Sequence, residues 1–323
     1  MLKEPIGGYF SLELPLHEEY HKEAIKLNTG RNCLEYILRS RKYSKVYIPY
    51  YSCDVILEPF HKLGIQYSFY HINLEFELAE NIALREGEAL LYINYYGLKQ
   101  EYVTTLAGKY GSQLVVDNTQ AFYAKPIEGI DTFYTCRKFF GVPDGAYLYT
   151  DHPLNEDFEQ DVSWERMDFL TKRIDLSPEE GYSDFRRQSH NLIGQPIKRM
   201  SRLTERLMQS IDYDKVAAKR HANYSYLHEH LSKRNLLHLA QSLADDTVPL
   251  VYPYLVDKEG LRDNLIHNKI FVAKYWPNVL EYCSKESIDF LLATKLVPLP
   301  IDQRYQIEEM NQIIKCIENE YQG

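Results

Sequence analysis

The sequence predicts an α/β protein: a large, mostly parallel sheet with helices on both faces, followed by a smaller α+β domain. Three observations carry this. From Asn28 to Tyr149, short apolar runs alternate with helical stretches, separated by Gly- and Pro-containing loops; this is the pattern of strand–helix–strand crossovers. Two of the runs end abruptly in polar residues, Asp117 and Thr135-Cys136-Arg137-Lys138, where an open sheet would present ligand-binding groups. Beyond residue 196 a long charged helical stretch leads into a fresh set of short elements. At 323 residues the chain can bury a substantial core and hold two domains, expected at 1–200 (with an N-terminal arm) and 201–323.

In order, residues 1–20 read as an extended arm, because Gly7-Gly8 and Pro15 oppose regular structure. Asn28 or Thr29 is the expected N-cap of a helix running from Asn32 to Arg41, with Cys33, Leu34, Ile37 and Leu38 at helical spacing. Val46–Ile48 reads as a strand closed by Pro49, Cys53–Leu63 as a helix stopped by Gly64, and Ile65–Tyr70 as a strand. Ala89–Asn94 is the next strand and Gln100–Lys109 the next helix, ended by Gly111. Leu114–Val116 and Thr132–Tyr134 are strands, and a third run reaches Tyr149 after the turn Gly141-Val142-Pro143-Asp144-Gly145. Residues 150–200 show no clear period. Pro196–Leu231 reads as one long helix that joins the domains. Strand Val248–Val256, helix Leu261–Asn268, strands Ile270–Lys274 and Leu296–Leu299, and a closing helix Gln306–Tyr321 complete the chain.

Composition removes several classes of function. Lys and Arg total 37 against 46 Asp and Glu, a balance of −9, which argues against a dedicated nucleic-acid or anionic-membrane binder. Cys33, Cys53, Cys136, Cys283 and Cys316 are scattered, with no paired spacing; this predicts neither a disulfide framework nor a zinc site, and a reducing cytoplasm. The dispersed histidines add no metal motif, so no metal is expected. No apolar run is long enough to span a bilayer, which predicts a soluble protein.

The chemistry is concentrated in Val115–Tyr149. An acid (Asp117) and a lysine (Lys138) offered from neighbouring strand tips suit pyridoxal phosphate (PLP). A lysine amine forms a Schiff base with the cofactor aldehyde, and a carboxylate keeps the ring nitrogen protonated so that the ring can accept electrons. Each residue also has a plainer role open to it: Lys138 as a surface lysine, Asp117 as a helix cap before Asn118-Thr119. Tyr134-x-x-x-Lys138 has the spacing of short-chain dehydrogenases, but no G-x-G-type loop follows the first strand, and Pro143 opposes a helix there.

The order Asp117-x-x-Gln120, then Thr135-x-x-Lys138-Phe-Phe-Gly-Val-Pro-Asp-Gly, resembles the DegT/DnrJ/EryC1/StrS family of PLP-dependent sugar aminotransferases. The resemblance implies the fold-type-I architecture with a sheet of the seven-strand type. It implies that Lys138 carries the cofactor and moves protons, that Asp117 pairs with the ring nitrogen, and that Gln120 lies beside the ring and its phenolic oxygen. The phosphate would fall at Gly30, Arg31 and Asn32, where a helix start offers free N–H groups and the positive end of its dipole. Thr135 is a second phosphate candidate; many members have instead a serine five before the lysine, where this chain has Phe133. The position that stacks on the ring falls at Cys53, where the family has Phe or Trp, and Tyr50 or Tyr51 could substitute. Tyr95-Tyr96-Gly97 resembles a substrate-side loop, and Arg304 would lie near the site. Residues 150–200 match poorly.

The resemblance also implies a cytoplasmic homodimer. Such a protein would move an amino group from a donor such as glutamate to a keto sugar, nucleotide-linked in the family's manner, for polysaccharide or amino-sugar synthesis. Two other readings stay open: a PLP-dependent lyase or dehydratase on the same fold, and a non-catalytic ligand-binding relative.

Overall fold

The apolar runs of the first half become the strands of one sheet. The computed structural model, which describes residues 6–321, places in chain order β1 (Ile25–Leu27), α1 (Gly30–Arg41), β2 (Lys45–Pro49), α2 (Glu58–Leu63), β3 (Gln66–Tyr70), β4 (Glu88–Ile93), α3 (Gln100–Tyr110), β5 (Leu114–Asp117), β6 (Asp131–Thr135) and β7 (Ala146–Tyr149). The strand order is β1-β7-β6-β5-β4-β2-β3. From β6 to β3 all neighbours are parallel, while β7 pairs antiparallel with both β6 and β1. Leu90, Leu91, Val115 and Val116 are buried, as expected of central strands covered on both faces.

The sheet order reverses around β2 and β4, since the chain leaves β2 outward to β3 and returns to β4 on the other side. Ligands of open α/β sheets bind beyond the strand ends at such a point. Here Ile93 is in register with Asp117, and Asp117 with Phe133, so the polar tips of β5 and β6 are brought side by side.

Local signals explain most boundaries. Thr29 caps α1, its Oγ1 accepting from Asn32 N, and the helix already begins at Gly30. The stretch expected as one helix from Cys53 is instead a 3-10 turn, Asp54–Leu57, followed by α2. Pro59 lies in the first turn of α2, where its missing N–H costs nothing. The edge strand β1 was not anticipated. The first five residues of the expected arm lie outside the described residues, and Ile6–Glu19 carry no regular structure.

The segment that showed no period is a helical hairpin, α4 (Asp168–Asp175) and α5 (Pro178–Asn191), with Ser177 capping α5 and Pro178 at its first position. The single long helix expected from Pro196 is corrected to two. Residues up to Ser201 are extended, bridging Leu27 through Arg199; then come α6 (Arg202–Met208) and α7 (Tyr213–Leu231). Ser201 and Asp212 each accept a first-turn N–H, and these caps restart the helix where its pattern alone looked continuous.

A second, two-stranded sheet is formed by β8 (Val251–Leu255) and β9 (Leu296–Pro300). Between these strands lie α8 (Leu261–His267), α9 (Val279–Tyr282) and α10 (Ile288–Lys295), and α11 (Ile307–Asn319) closes the chain with a Gln306–Glu309 capping box. Residues 270–274, expected as a strand, have no ladder partner among the described residues. Tyr224, Leu227, Tyr252, Leu299, Ile313 and Ile317 pack with these elements into a cluster separate from the main core. No described helix is long and apolar enough to cross a membrane.

Candidate active site

A cavity of about 290 Å³ opens at the ends of β4, β5 and β6, close to the lower end of the ~300–1,000 Å³ span of small-molecule sites. Lys138, Asp117, Gln120, Gly30, Arg31, Thr135 and Cys53 all line it. Asn32 does not. Its buried side chain takes part in the Thr29 cap and donates to the Gln195 carbonyl at 3.0 Å, so it supports the helix start from behind.

Lys138 stands just beyond β6, exposed to solvent through the cavity mouth but packed by protein on its other sides. That enclosure pushes its ammonium pKa down, against the opposing pull of Asp117. Its Nζ donates to Thr119 Oγ1 at 2.9 Å. Asp117 is buried at the end of β5, its Oδ1 accepting from Thr119 N at 2.8 Å. Desolvation raises its pKa, and Lys138 and Thr119 lower it in part. The two side chains make no ion pair of their own; Thr119 bridges them, holding one through its hydroxyl and the other through its amide.

Gln120 is fully buried. The Tyr96 amide donates to its Oε1 at 2.8 Å, which fixes the orientation of the carboxamide. Its Nε2 is buried without an acceptor among the described residues, an arrangement that ordinarily costs about 1–3 kcal/mol. Thr135 Oγ1 makes only a 3.4 Å contact with the Gly145 carbonyl. Phe133 is buried and lines the wall near Gly30.

Neither Tyr50 nor Tyr51 enters the cavity. Tyr50 stacks on Phe69 and His71, and Tyr51 is buried with its hydroxyl 3.0 Å from that of Tyr96. Besides Phe133 and Phe185, the cavity is lined by Trp276, which packs edge-on to Tyr51, and by Cys53. Sequence reasoning had no signal for Trp276, because it arrives from a segment remote in the chain. It also passed over Arg137 beside the lysine. Arg304 is paired with Asp302 at 2.6 Å and does not line the cavity.

Although no metal spacing was legible, His71, Cys283 and Asp289 place ligand atoms within 4.8 Å of one another. The His71 Nδ1–Asp289 Oδ2 hydrogen bond, 2.6 Å, and the Ile72 amide already satisfy that buried carboxylate.

The architecture is the fold-type-I arrangement of PLP transferases. No family model matches the sequence, and neither does any curated protein. Among solved structures, the chain is similar to a putative sugar aminotransferase, Spr1654 of Streptococcus pneumoniae (TM-score 0.65, 14% identity, covering 96% of this chain and 92% of that one). It is also similar to DesV of S. venezuelae in complex with a ketimine intermediate (0.61, 16%, 92% and 84%). A third likeness is to the E. coli GDP-4-keto-6-deoxy-D-mannose-3-dehydratase with bound hydrated PLP (0.61, 14%, 93% and 92%). At these identities the likeness is one of fold.

Proposed function

We propose that the chain is a PLP-dependent aminotransferase acting on a keto sugar, with residues 1–200 holding the cofactor and 201–323 forming a smaller domain beside it. The observation that carries this is the meeting of Lys138 and Asp117 in one cavity beyond the parallel strands. Likenesses that include aminotransferases and a sugar dehydratase support the reading.

The residues present fit the cofactor. Lys138 would hold its aldehyde carbon, Asp117 its ring nitrogen, and the unpartnered Gln120 Nε2 an oxygen acceptor on the ring. When bound, PLP supplies an electron-withdrawing ring that stabilises negative charge on the carbon next to the amine. The protein supplies the rest. Burial biases Lys138 toward its neutral amine, the form that takes up a proton, and Thr119 Oγ1 orients that amine. Asp117, buried at the end of β5, would favour a proton on the ring nitrogen it would hold. Trp276 and Cys53 add apolar surface to the cavity lining.

The reading includes a homodimer. Ile6, Tyr9 and Phe10 of the arm are almost fully exposed, as apolar residues awaiting a second copy would be.

The test is an absorption spectrum of the purified protein with PLP, before and after glutamate. A visible band that glutamate converts to the pyridoxamine form, and that Lys138→Ala abolishes, is expected. A band indifferent to every amino donor would overturn the transaminase and leave the dehydratase reading; full turnover by Lys138→Ala would overturn both.

A further inference from the structure

The cavity contains a cation without a counter-ion. Arg31 is paired with Glu58 at 2.5 Å, and Arg166 with Asp144 and Asp161. Arg137, which feels the charge of both, has no carboxylate in ion-pair contact among the described residues. Its one side-chain hydrogen bond among the described residues goes from Nη2 to Ser189 Oγ at 3.1 Å. Asp144, the acid whose field reaches it, already accepts from Arg166 and Thr204. The guanidinium lies 5.9 Å from the ring centre of Phe169 and 5.4 Å from that of Phe185, both on the α4–α5 hairpin. Burial and the neighbouring arginines Arg31 and Arg166 push its pKa down to about 10. A guanidinium has five N–H donors in a rigid fork and stays charged. One held in a half-buried wall with a single partner is set up for an anion.

The surroundings define which anion. Arg137 lines the cavity with Arg31, Thr29 and Gly30. The last three belong to the start of α1, a twelve-residue helix with no acidic residue in its first turn. The Gly30 and Arg31 amides there have no intrahelical acceptor, Asn32 N being capped by Thr29 Oγ1, and the helix dipole adds positive potential. Two guanidinium groups beside the free amides of Gly30 and Arg31 suit a dianion better than a single carboxylate. Phe133 offers no hydroxyl to this corner, and Thr135 is turned weakly toward Gly145.

We propose that Arg137, with Arg31 across from it, is a binding residue for a phosphate monoester, the phosphate of the cofactor, replacing hydroxyl donors with charge. This rests on the cofactor reading above and adds to it the residue that supplies the phosphate's counter-charge. The α4–α5 hairpin then acts in cofactor retention, because Phe169, Phe185 and Ser189 hold the guanidinium in place.

The experiment measures equilibrium binding of PLP and of pyridoxal, which lacks the phosphate, to wild type, Arg137→Met and Arg137→Lys. Methionine keeps the stem that packs on the two rings, and lysine keeps the charge. PLP affinity is expected to fall about 10- to 100-fold in Arg137→Met and to recover in part in Arg137→Lys, with pyridoxal affinity near that of wild type in both. Equal loss of PLP and pyridoxal would overturn the proposal, as would PLP binding unchanged in Arg137→Met. If wild type binds neither compound, the cofactor reading itself has failed. Thermal stabilisation by inorganic phosphate then decides the arginine separately. Stabilisation of wild type but not of Arg137→Met upholds a phosphate-binding Arg137, and none in wild type overturns it.

Discussion

The guanidinium of Arg220 lies 4.5 Å from the ring centre of Phe139, the residue that follows the site lysine. Arg220 is almost wholly buried on α7, and desolvation pushes its pKa down to about 10. It donates to the carbonyls of Leu250 at 2.9 Å, Pro249 at 3.3 Å and Phe139 at 3.4 Å, and to Gln303 Oε1 at 3.1 Å. Gln303 in turn donates to the Phe139 carbonyl at 2.8 Å. One side chain thus ties the lysine loop to the entry of β8 and the loop after β9.

Replacing it exposes that dependence. In Arg220→Met the carbonyls of Pro249 and Leu250 lose a buried donor, so stability should fall by about 3 kcal/mol. The urea midpoint measures this. A midpoint equal to wild type would mean that the bonds to Arg220 contribute nothing net.

Asp117→Asn tests the charge opposite Lys138 while preserving shape. The Asn oxygen can still accept from Thr119 N, so the fold should persist. On the proposed reading Asp117 favours a proton on the cofactor nitrogen, so the glutamate half-reaction should slow by about 100-fold or more. Stopped-flow absorbance after PLP loading tracks it. A rate near wild type would remove Asp117 from the mechanism.

His21 predicts the acid limb of stability. It is buried, with Nε2 2.7 Å from the Phe122 carbonyl and Nδ1 3.1 Å from the Tyr149 hydroxyl, which makes Nε2–H the donor and Nδ1 the acceptor. Burial lowers its pKa from 6.5 to about 4. As pH falls below 6.5 the unfolded chain takes up the proton first, so stability declines through the window down to about pH 4, by about 3 kcal/mol in all. Urea unfolding of wild type and His21→Gln across that window isolates the effect. The variant should be less stable near neutrality and should show a smaller loss on acidification; parallel curves would refute the assignment.

Gly145 adopts φ +103°, and a Cβ there would stand 2.7 Å from Thr204 Cγ2 and 3.1 Å from Cys136 Sγ. Its amide donates to the Asn28 carbonyl at 2.7 Å, pinning the turn after Lys138 to the start of α1. Gly145→Ala therefore combines backbone strain with overpacking and should cost about 2–4 kcal/mol. A melting temperature equal to wild type would contradict the close packing at this turn.

How much of this was legible in the sequence differs by residue. The strand runs ending at Asp117 and Thr135, the Thr29 cap and the Gln306–Glu309 box are local signals, since each depends on residues within a few positions of one another. The break at Ser201–Asp212 was equally local, but the charged helical pattern on both sides masked its two caps. The hairpin after Met167 was missed although Ser177-Pro178-Glu179-Glu180 is good helix-start chemistry, because its apolar spacing is weak and Ile174, Leu176 and Tyr182 remain exposed.

The sequence by itself determined the alternation that builds a parallel sheet, and the presence of an acid and a lysine at consecutive strand ends. Period, caps and breakers act over one or two turns of chain, so they can be read without coordinates. Only the tertiary structure decided what surrounds the lysine: Thr119 bridging it to Asp117, Trp276 in place of the neighbouring tyrosines, Arg220 beneath Phe139, and Arg137 without a carboxylate partner among the described residues. Trp276, Arg220 and the hairpin around Arg137 come from segments distant in the chain. Their meeting depends on how layers pack, and no pattern along the chain encodes which distant side chain closes a cavity or which charge is left without a partner.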